Sequence, residues 1–151
     1  MDRVAAFQVP KFPVKRSPEA RPARLDFMRV EIKRAYEESA KSDGRRILVD
    51  RLWPRGLTKA AAKVDFWAKE VAPSNALRRW YAHDPERWTE FQRRYFAELD
   101  ANADAVAELR QQIGRGPVTF VFSSKEERLN NAAALMAYLK KRGRRESRRR
   151  E

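Results

Sequence analysis

Two arginines beside a sharp turn are the residues of this sequence best suited to bind a ligand. Arg51 and Arg55 lie in the stretch DRLWPRG (50–56), which follows an apolar run. Guanidinium groups on a turn past a strand can hold a phosphate or carboxylate in a bidentate manner. Pro54 restricts φ and Gly56 permits a positive φ, so we expect a stiff turn that presents both arginines.

Structural roles compete with this interpretation. Arg51 could instead pair with Asp50 or with the end of a helix, and Trp53 is more typical of a core residue than of a stacking platform. Asp50 and His83 are weak candidates for moving protons. Asp84 follows His83, but adjacent residues rarely hydrogen-bond as in a catalytic triad, and no G-x-S-x-G motif supplies a nucleophile.

A second polar cluster, Ser123, Ser124 and Lys125, follows the apolar run VTFVF. We expect it to begin the last helix, where backbone N–H groups favour anions. The alternative is a capping box, Ser124-x-x-Glu127, which accounts for Ser124 without a ligand.

Two adjacent asparagines in the same predicted helix also call for an explanation. Asparagine is a poor helix former because its side chain competes for backbone hydrogen bonds. We expect Asn130 or Asn131 to face the sheet and either hydrogen-bond a strand end or line the site; the alternative is exposure to solvent.

Hydrophobic patterning predicts the elements that must position these residues. Strands are predicted over 29–37, 46–52 and 118–122. The predicted helical segments are 58–72, 73–85, 85–113 (with a break near Asn102 or Asp104) and 123–142. This alternation indicates an α/β fold: a small, open, mainly parallel sheet of three to four strands covered by helices, in a Rossmann-like three-layer architecture. Ligands of such sheets gather beyond the carboxyl ends of the strands.

The net charge of +13 is concentrated at the two ends of the 151-residue chain. Residues 1–28 form a basic, Pro/Arg-rich extension, 29–141 a single α/β domain and 142–151 a basic tail. A basic end can bind a phosphate backbone without sequence preference. The alternative is a solvated, disordered tail.

Composition also limits the chemistry. The sequence has no cysteine and a single histidine, which excludes a cysteine nucleophile, a thiolate zinc site and a His-rich metal site. A carboxylate-only Mg²⁺ or Ca²⁺ site stays open, but no D-x-[DN]-x-[DN]-G loop is present, and we expect no metal site. No apolar run approaches the length of a membrane span, and the N-terminus lacks the apolar region of a secretory signal. We therefore expect a cytoplasmic protein without membrane contact. The sequence points to no particular cofactor or oligomeric state.

Several motifs together resemble the YeaO-like family of small bacterial proteins, a domain family of unknown function. The resemblance covers about residues 29–141. It rests on V-D-R-x-W-P-R-G at 49–56, A-P-S-x-x-L-R at 72–78, an R-W-x-x-F-x-x-x-Y helix, and a late strand followed by an asparagine-containing helix. It implies an α/β fold and a bacterial, cytoplasmic origin, but no activity, cofactor or substrate.

Three functions follow from these features. The first is a binding or catalytic site for a phosphorylated or carboxylated small molecule such as a nucleotide, with Arg51 and Arg55 facing the Ser123–Lys125 cluster and Asn130 orienting a polar edge. The second is a nucleic-acid-associated protein that uses its basic ends, with aromatics beside Arg78 and Arg79 as stacking surfaces. The third is a structural or adaptor domain. Whether the protein is an enzyme is left open by the sequence.

Overall fold

Four parallel strands form one small, open sheet. The structure, a computed structural model, describes residues 29–150, with side chains described to residue 142. The strands are β1 (Val30–Arg34), β2 (Arg45–Leu48), β3 (Phe66–Trp67) and β4 (Val118–Phe122). Their order across the sheet is β1-β4-β2-β3 and every pairing is parallel. The predicted α/β class and parallel sheet are therefore confirmed.

Helices connect and cover the strands. They are α1 (Lys59–Ala62), α2 (Asn75–Tyr81), α3 (Trp88–Asp100), α4 (Ala103–Ile113) and α5 (Asn131–Arg150). Short 3₁₀ turns lie at Lys41–Asp43, Lys69–Val71 and Pro85–Arg87. The long helical pattern over 85–113 is divided at Asn102, as predicted. No helix in the described part of the chain is long and apolar enough to cross a membrane.

The sheet buries an apolar surface on both faces. Ile47 and Phe120 belong to the larger core, whereas Leu48 and Val121 belong to a smaller cluster on the other side. Helices α2 to α5 contribute to the larger core the side chains Leu77, Phe91, Tyr95, Leu109 and Leu135. The smaller cluster is covered by Trp53, Leu57, Val64 and Trp67. Trp53 is half-buried: it packs against this smaller cluster and also lines the cleft described below.

Two predicted elements were wrong in detail. The segment 58–72 contains a strand, β3, as well as α1, because Asp65 and Ala68 donate backbone hydrogen bonds to the edge of β2. The last helix begins at Asn131, eight residues after Ser123. Asn130 is its cap, since the Asn130 Oδ1 accepts a hydrogen bond from the Ala133 amide at 2.9 Å.

The segment between β4 and α5 is a loop with its own hydrogen bonds. The predicted capping box is absent: the Ser124 hydroxyl accepts from the Glu126 amide, and Glu126 rather than Glu127 accepts from the amides of Arg128 and Leu129. These two hydrogen bonds lower the pKa of the Glu126 carboxyl, and their effect exceeds that of burial, which raises it.

The basic C-terminal end continues α5. The backbone is helical through Arg150, although the composition also allowed a disordered tail. The predicted extension 1–28 lies outside the described residues, and the domain boundaries stay predictions.

Candidate functional site

A cleft of about 680 Å³ opens where β2 and β4 end. Asp50 lies two residues after β2, and Ser123 follows β4 directly. Seven of the eight residues singled out in the sequence line this cleft: Asp50, Arg51, Arg55, His83, Ser123, Ser124 and Asn130. Lys125 is exposed but is not part of the lining. The expected location beyond the carboxyl ends of the strands is therefore observed.

Asp50 ties three elements together at the base of the cleft. Its Oδ2 accepts hydrogen bonds from the Ser123 amide at 2.8 Å and the Ser123 hydroxyl at 2.7 Å. Its Oδ1 accepts from the Asn131 amide group at 3.0 Å, and the same group donates to the Val49 carbonyl. Asn131 thus makes the strand-end contact expected of one of the two asparagines. Both carboxylate oxygens of Asp50 are engaged in holding the strand ends and α5.

Arg51 stabilises a neighbouring loop. Its Nε donates to the Pro73 carbonyl at 3.1 Å, and one terminal nitrogen donates to the Ala72 carbonyl at 2.9 Å. These carbonyls lie between the Lys69–Val71 turn and α2, where no regular element satisfies them. Arg51 therefore lines the cleft while its guanidinium is held by two loop carbonyls, and its acceptor is not Asp50, a partner that the sequence suggested.

Arg55 is presented by the predicted turn. The Pro54 carbonyl accepts from the Leu57 amide at 3.3 Å, and Gly56 at the third position has φ of 77°. The Arg55 carbonyl accepts from the Tyr36 hydroxyl at 2.8 Å. Among the described residues, no group accepts a hydrogen bond from the Arg55 guanidinium, which is exposed. The backbone of Arg55 is thus fixed, whereas its guanidinium has no partner in the part of the chain whose side chains are described, residues 29–142.

Two further arginines reach the cleft from α2. Arg78 donates to the Asn75 Oδ1 at 3.0 Å, and Arg79 has no hydrogen-bonding partner among the described residues. From the sequence, this pair is expected beside stacking aromatics, with Arg78 also a possible buried partner of Asp50, and neither arginine is expected to bind the small-molecule ligand. Their spacing indicated a helix, but only the packing of α2 shows which of its sides faces the cleft.

The orientation of α2 is set at its first turn. The Ser74 hydroxyl caps the helix by accepting from the Leu77 amide at 3.1 Å. The Glu98 carboxylate on α3 accepts from both the Ser74 amide and its hydroxyl, at 2.9 and 2.6 Å. This contact fixes α2 against α3, so the direction of Arg78 and Arg79 depends on a residue far away in the sequence.

His83 lies two residues after α2 in an uncommon backbone conformation. Ala82 and His83 are consecutive non-glycine residues with positive φ, 45° and 58°. Asp84 does not orient the imidazole, because its Oδ1 accepts from the Glu86 amide as a helix cap. No hydrogen bond joins His83 to Asp84 in the described structure, so the geometry shows no histidine–aspartate pair.

Tyr81 closes the inner wall. Its hydroxyl donates to the Leu129 carbonyl at 2.8 Å. Burial, together with the carboxylates of Glu126 and Asp84, raises the pKa of Tyr81 to about 12. The phenol therefore remains protonated and neutral at physiological pH.

Positive charge dominates the lining. Four arginines line the cleft: Arg51, Arg55, Arg78 and Arg79. Asp50 is the one carboxylate among the described lining residues. A concave surface of this kind concentrates anions. Within the described residues, no cluster of three histidine or acidic side chains could hold a metal ion.

Fold and cleft together define a small parallel α/β domain with an arginine-lined cleft at its strand ends. The chain belongs to the family described as the inactive DUF488-N3 subclade, whose model matches residues 29–151. It is also similar to the uncharacterized protein YeaO of Escherichia coli (strain K12), with 36% identity over 113 residues, 75% of this chain and 98% of that protein. The YeaO-like resemblance is thereby confirmed.

Relatives in mycobacteria are more similar still. An uncharacterized protein of Mycobacterium tuberculosis (strain H37Rv) is 47% identical over 111 residues, which is 74% of this chain and 93% of that protein. An uncharacterized protein of Mycobacterium bovis gives the same values. No solved structure gives a significant match.

Proposed function

We propose that this protein is a binding module for a small anionic molecule, phosphorylated or carboxylated, held in the arginine-lined cleft. One observation carries the proposal: four arginines line a single cleft, and the guanidinium groups of Arg55 and Arg79 have no partner among the described residues. The volume of the cleft, about 680 Å³, falls within the roughly 300–1,000 Å³ that is typical of ligand sites.

The lining residues divide into two groups in this proposal. Arg55, Arg78 and Arg79 contact the anion, because their donors are wholly or partly free. Arg51 and Ser123 build the walls, since both already bond to the protein.

The loop and the start of α5 assist. The Ser124 hydroxyl acts as an acceptor in its bond with the Glu126 amide. Its own hydrogen can therefore be donated to the ligand. Asn130 and Asn131 place the N-terminus of α5 at the cleft, where the helix dipole favours negative charge. Lys125 is exposed on the same loop and adds positive charge nearby.

Binding without chemistry is the better-supported form of this function. Both oxygens of Asp50 already accept hydrogen bonds, and no carboxylate among the described residues hydrogen-bonds His83. The family itself is described as an inactive subclade. A binding role requires only the free arginines and a cleft of this size.

Calorimetric titration of the full-length chain with inorganic phosphate, AMP and benzoate tests the proposal at one fixed salt concentration, because salt screens exposed charges. The test variants are Arg55→Gln and Arg79→Gln. Arg115→Gln is the matched control, because Arg115 is exposed and precedes β4, at the opposite end of that strand from the cleft.

We expect at least one anion to bind, and each cleft variant to weaken it about tenfold or more, since a hydrogen bond to a charged group contributes about 1.5–3 kcal/mol. The control should change binding less than about twofold. Absence of binding in the native protein, or equal losses in the cleft and control variants, would refute the proposal.

A further inference from the structure

We infer that the bound anion also carries a planar aromatic ring, so that the ligand class is a nucleotide rather than a simple phosphate or carboxylate. The inference rests on the proposed function and deepens it. Its starting point is that Tyr36 and Leu52, 41% and 58% exposed, are the exposed large hydrophobic residues of the described chain. Both line the arginine-lined cleft.

Tyr36 is an aromatic surface held in place from two sides. Its hydroxyl donates to the Arg55 carbonyl, and the guanidinium of Arg34 lies 5.1 Å from its ring centre. Arg34 is itself anchored, because it donates to the carbonyls of Ser123 and Ser124 at 3.1 and 2.8 Å. A ring that is already fixed loses little conformational entropy when a ligand stacks on it.

The ring and the cationic group belong to the same corner of the cleft. The bond from the Tyr36 hydroxyl joins the ring directly to the backbone of Arg55, whose guanidinium has no partner among the described residues. An anion on Arg55 and a planar group on Tyr36 can therefore be two parts of one small molecule. Arginine beside an aromatic platform is the combination that binds nucleotides through phosphate and base.

Leu52 extends the apolar surface. Its neighbours have other partners: Arg51 bonds the carbonyls of Ala72 and Pro73, and Trp53 packs against Trp67 at 5.4 Å. Leu52 belongs to neither core cluster. A single exposed leucine is ordinary in a protein. Two exposed apolar side chains on the rim of one cationic cleft are better explained by a ligand with an apolar part.

Other ligand classes fit less of the lining. A simple phosphate would leave Tyr36 and Leu52 exposed to water. An uncharged aromatic molecule would leave the free guanidinium groups of Arg55 and Arg79 without an anion. A nucleotide has both a phosphate and a planar base, and so uses both halves of the cleft.

Titration calorimetry of the full-length protein with AMP, ribose 5-phosphate and adenosine separates the contribution of the phosphate from that of the planar base. Tyr36→Ala removes the ring, whereas Tyr36→Phe keeps the ring and removes only the bond to the Arg55 carbonyl. Leu52→Ser tests the second apolar side chain. Circular dichroism melting of each variant reports whether the fold is retained.

We expect AMP to bind about 5- to 150-fold more tightly than ribose 5-phosphate, the ratio that roughly 1–3 kcal/mol of base stacking produces. Tyr36→Ala should reduce this ratio to near one while ribose 5-phosphate affinity stays within about threefold. Tyr36→Phe should retain most of the ratio, and Leu52→Ser should lower it partly.

The outcomes separate this inference from the proposed function. If ribose 5-phosphate and AMP bind equally, or if Tyr36→Ala weakens both to the same extent, the inference is overturned and the anion site stands. If none of the three compounds binds but inorganic phosphate or benzoate does, the inference is overturned and the anion site stands. If adenosine binds as tightly as AMP, or if inorganic phosphate and benzoate fail to bind as well, the anion site fails and the inference fails with it.

Discussion

Asp50 shows how a single carboxylate can hold two strand ends and a helix together at the base of a cleft. Hydrogen bonds from Ser123 and Asn131 reach both of its oxygens. Through them the ends of β2 and β4 and the start of α5 are held at fixed distances. The Asp50 carbonyl also accepts from the Trp67 indole at 2.7 Å, which adds β3 to the group. The positions of the ends of β2, β3 and β4 at the cleft therefore depend on Asp50.

We predict that Asp50→Asn destabilises the protein. An asparagine side chain offers one acceptor and an amide donor, so at least one of the donors from Ser123 or Asn131 loses its partner. A buried polar group left unsatisfied costs about 1–3 kcal/mol; since these groups are half-buried, we expect the free energy of unfolding to fall by about 1 kcal/mol, the lower end of that range. Urea denaturation monitored by circular dichroism measures it.

Glu127→Gln is the control for that substitution. Glu127 is exposed on the same loop, and no bond of the described structure uses its carboxylate. Its neutralisation should change stability by less than about 0.5 kcal/mol. Equal effects of the two substitutions would show that Asp50 does not organise the strand ends.

Asp43 gives the protein a stability that depends on pH. The carboxylate is buried and accepts from the Lys33 ammonium at 3.0 Å, the Arg46 guanidinium at 2.8 Å and the Ala40 amide at 3.0 Å. Burial raises the pKa of Asp43, but these three donors outweigh it and leave the pKa below 3.8. The stabilisation is therefore present above pH 3.8 and is lost as pH falls through the lower folded-state value.

We predict that Asp43→Asn costs about 3–5 kcal/mol at pH 7, because it leaves Lys33 and Arg46 without their carboxylate. The difference from the native protein should shrink below the ordinary aspartate pKa of 3.8. Urea denaturation of both proteins from pH 7 to about pH 3 tests this. A difference that stays constant over the whole range would contradict the assignment.

At the scale of elements, chain order and local signals predicted most of the fold, and tertiary contacts account for the rest. The apolar run over 118–122 and the break at Asn102 are local features and were predicted correctly. The start of α5 was not, because Ser123 bonds Asp50, which lies 73 residues earlier in the chain. Strand β3 has two residues, too few to show the alternation of apolar and polar side chains by which a strand is predicted.

The candidate site, like the fold, was predictable from sequence where it depends on chain order and not where it depends on tertiary contacts. Asp50, Arg55 and Ser123 could be brought together from sequence, because residues that follow parallel strands meet at one edge of the sheet. The contribution of Arg79 could not, since it depends on the contact of Ser74 with Glu98. The two carbonyls that accept from Arg51, those of Ala72 and Pro73, could not be predicted either, because the fold of the loop before α2 brings them to the guanidinium.

Two glycines in turns should respond differently to the same substitution. Gly44 and Gly56 both have positive φ, 66° and 77°. A Cβ on Gly56 meets nothing within 4 Å, so Gly56→Ala should cost only the backbone strain, about 1–2 kcal/mol. A Cβ on Gly44 would lie 2.2 Å from the Pro117 carbonyl oxygen, so Gly44→Ala must also displace the strand connection.

We therefore expect Gly44→Ala to lower the melting temperature much more than Gly56→Ala, or to prevent folding. Thermal denaturation of the pair measures the difference. Since Gly56 belongs to the turn that presents Arg55, its variant should also weaken anion binding. Equal losses of stability would show that the approach of Pro117 to Gly44 is not a constraint on the fold.

At the scale of the whole molecule, the cleft arginines and the basic C-terminal segment are two sources of positive charge that can be tested separately. The cleft gathers four arginines at the strand ends, while residues 140–151 carry a net charge of +6. Helix α5 links the two, with its first residues at the cleft and its backbone continuing to Arg150. The helix is anchored as far as Arg142, which pairs with Asp100 beside Tyr138. Residues beyond Arg142 can therefore be removed without disturbing that anchor.

Removal of residues 143–151 should separate small-anion binding from binding to a phosphate backbone. We expect AMP affinity to change less than about twofold, because the cleft is complete without this segment and its charge is screened over about 8–10 Å. Affinity for a short single-stranded oligonucleotide should fall, and its dependence on salt should flatten by about 0.7 per lost phosphate contact. Fluorescence anisotropy at several salt concentrations measures both quantities. A matched loss of AMP and oligonucleotide affinity would mean that the basic end of α5 is part of the anion site.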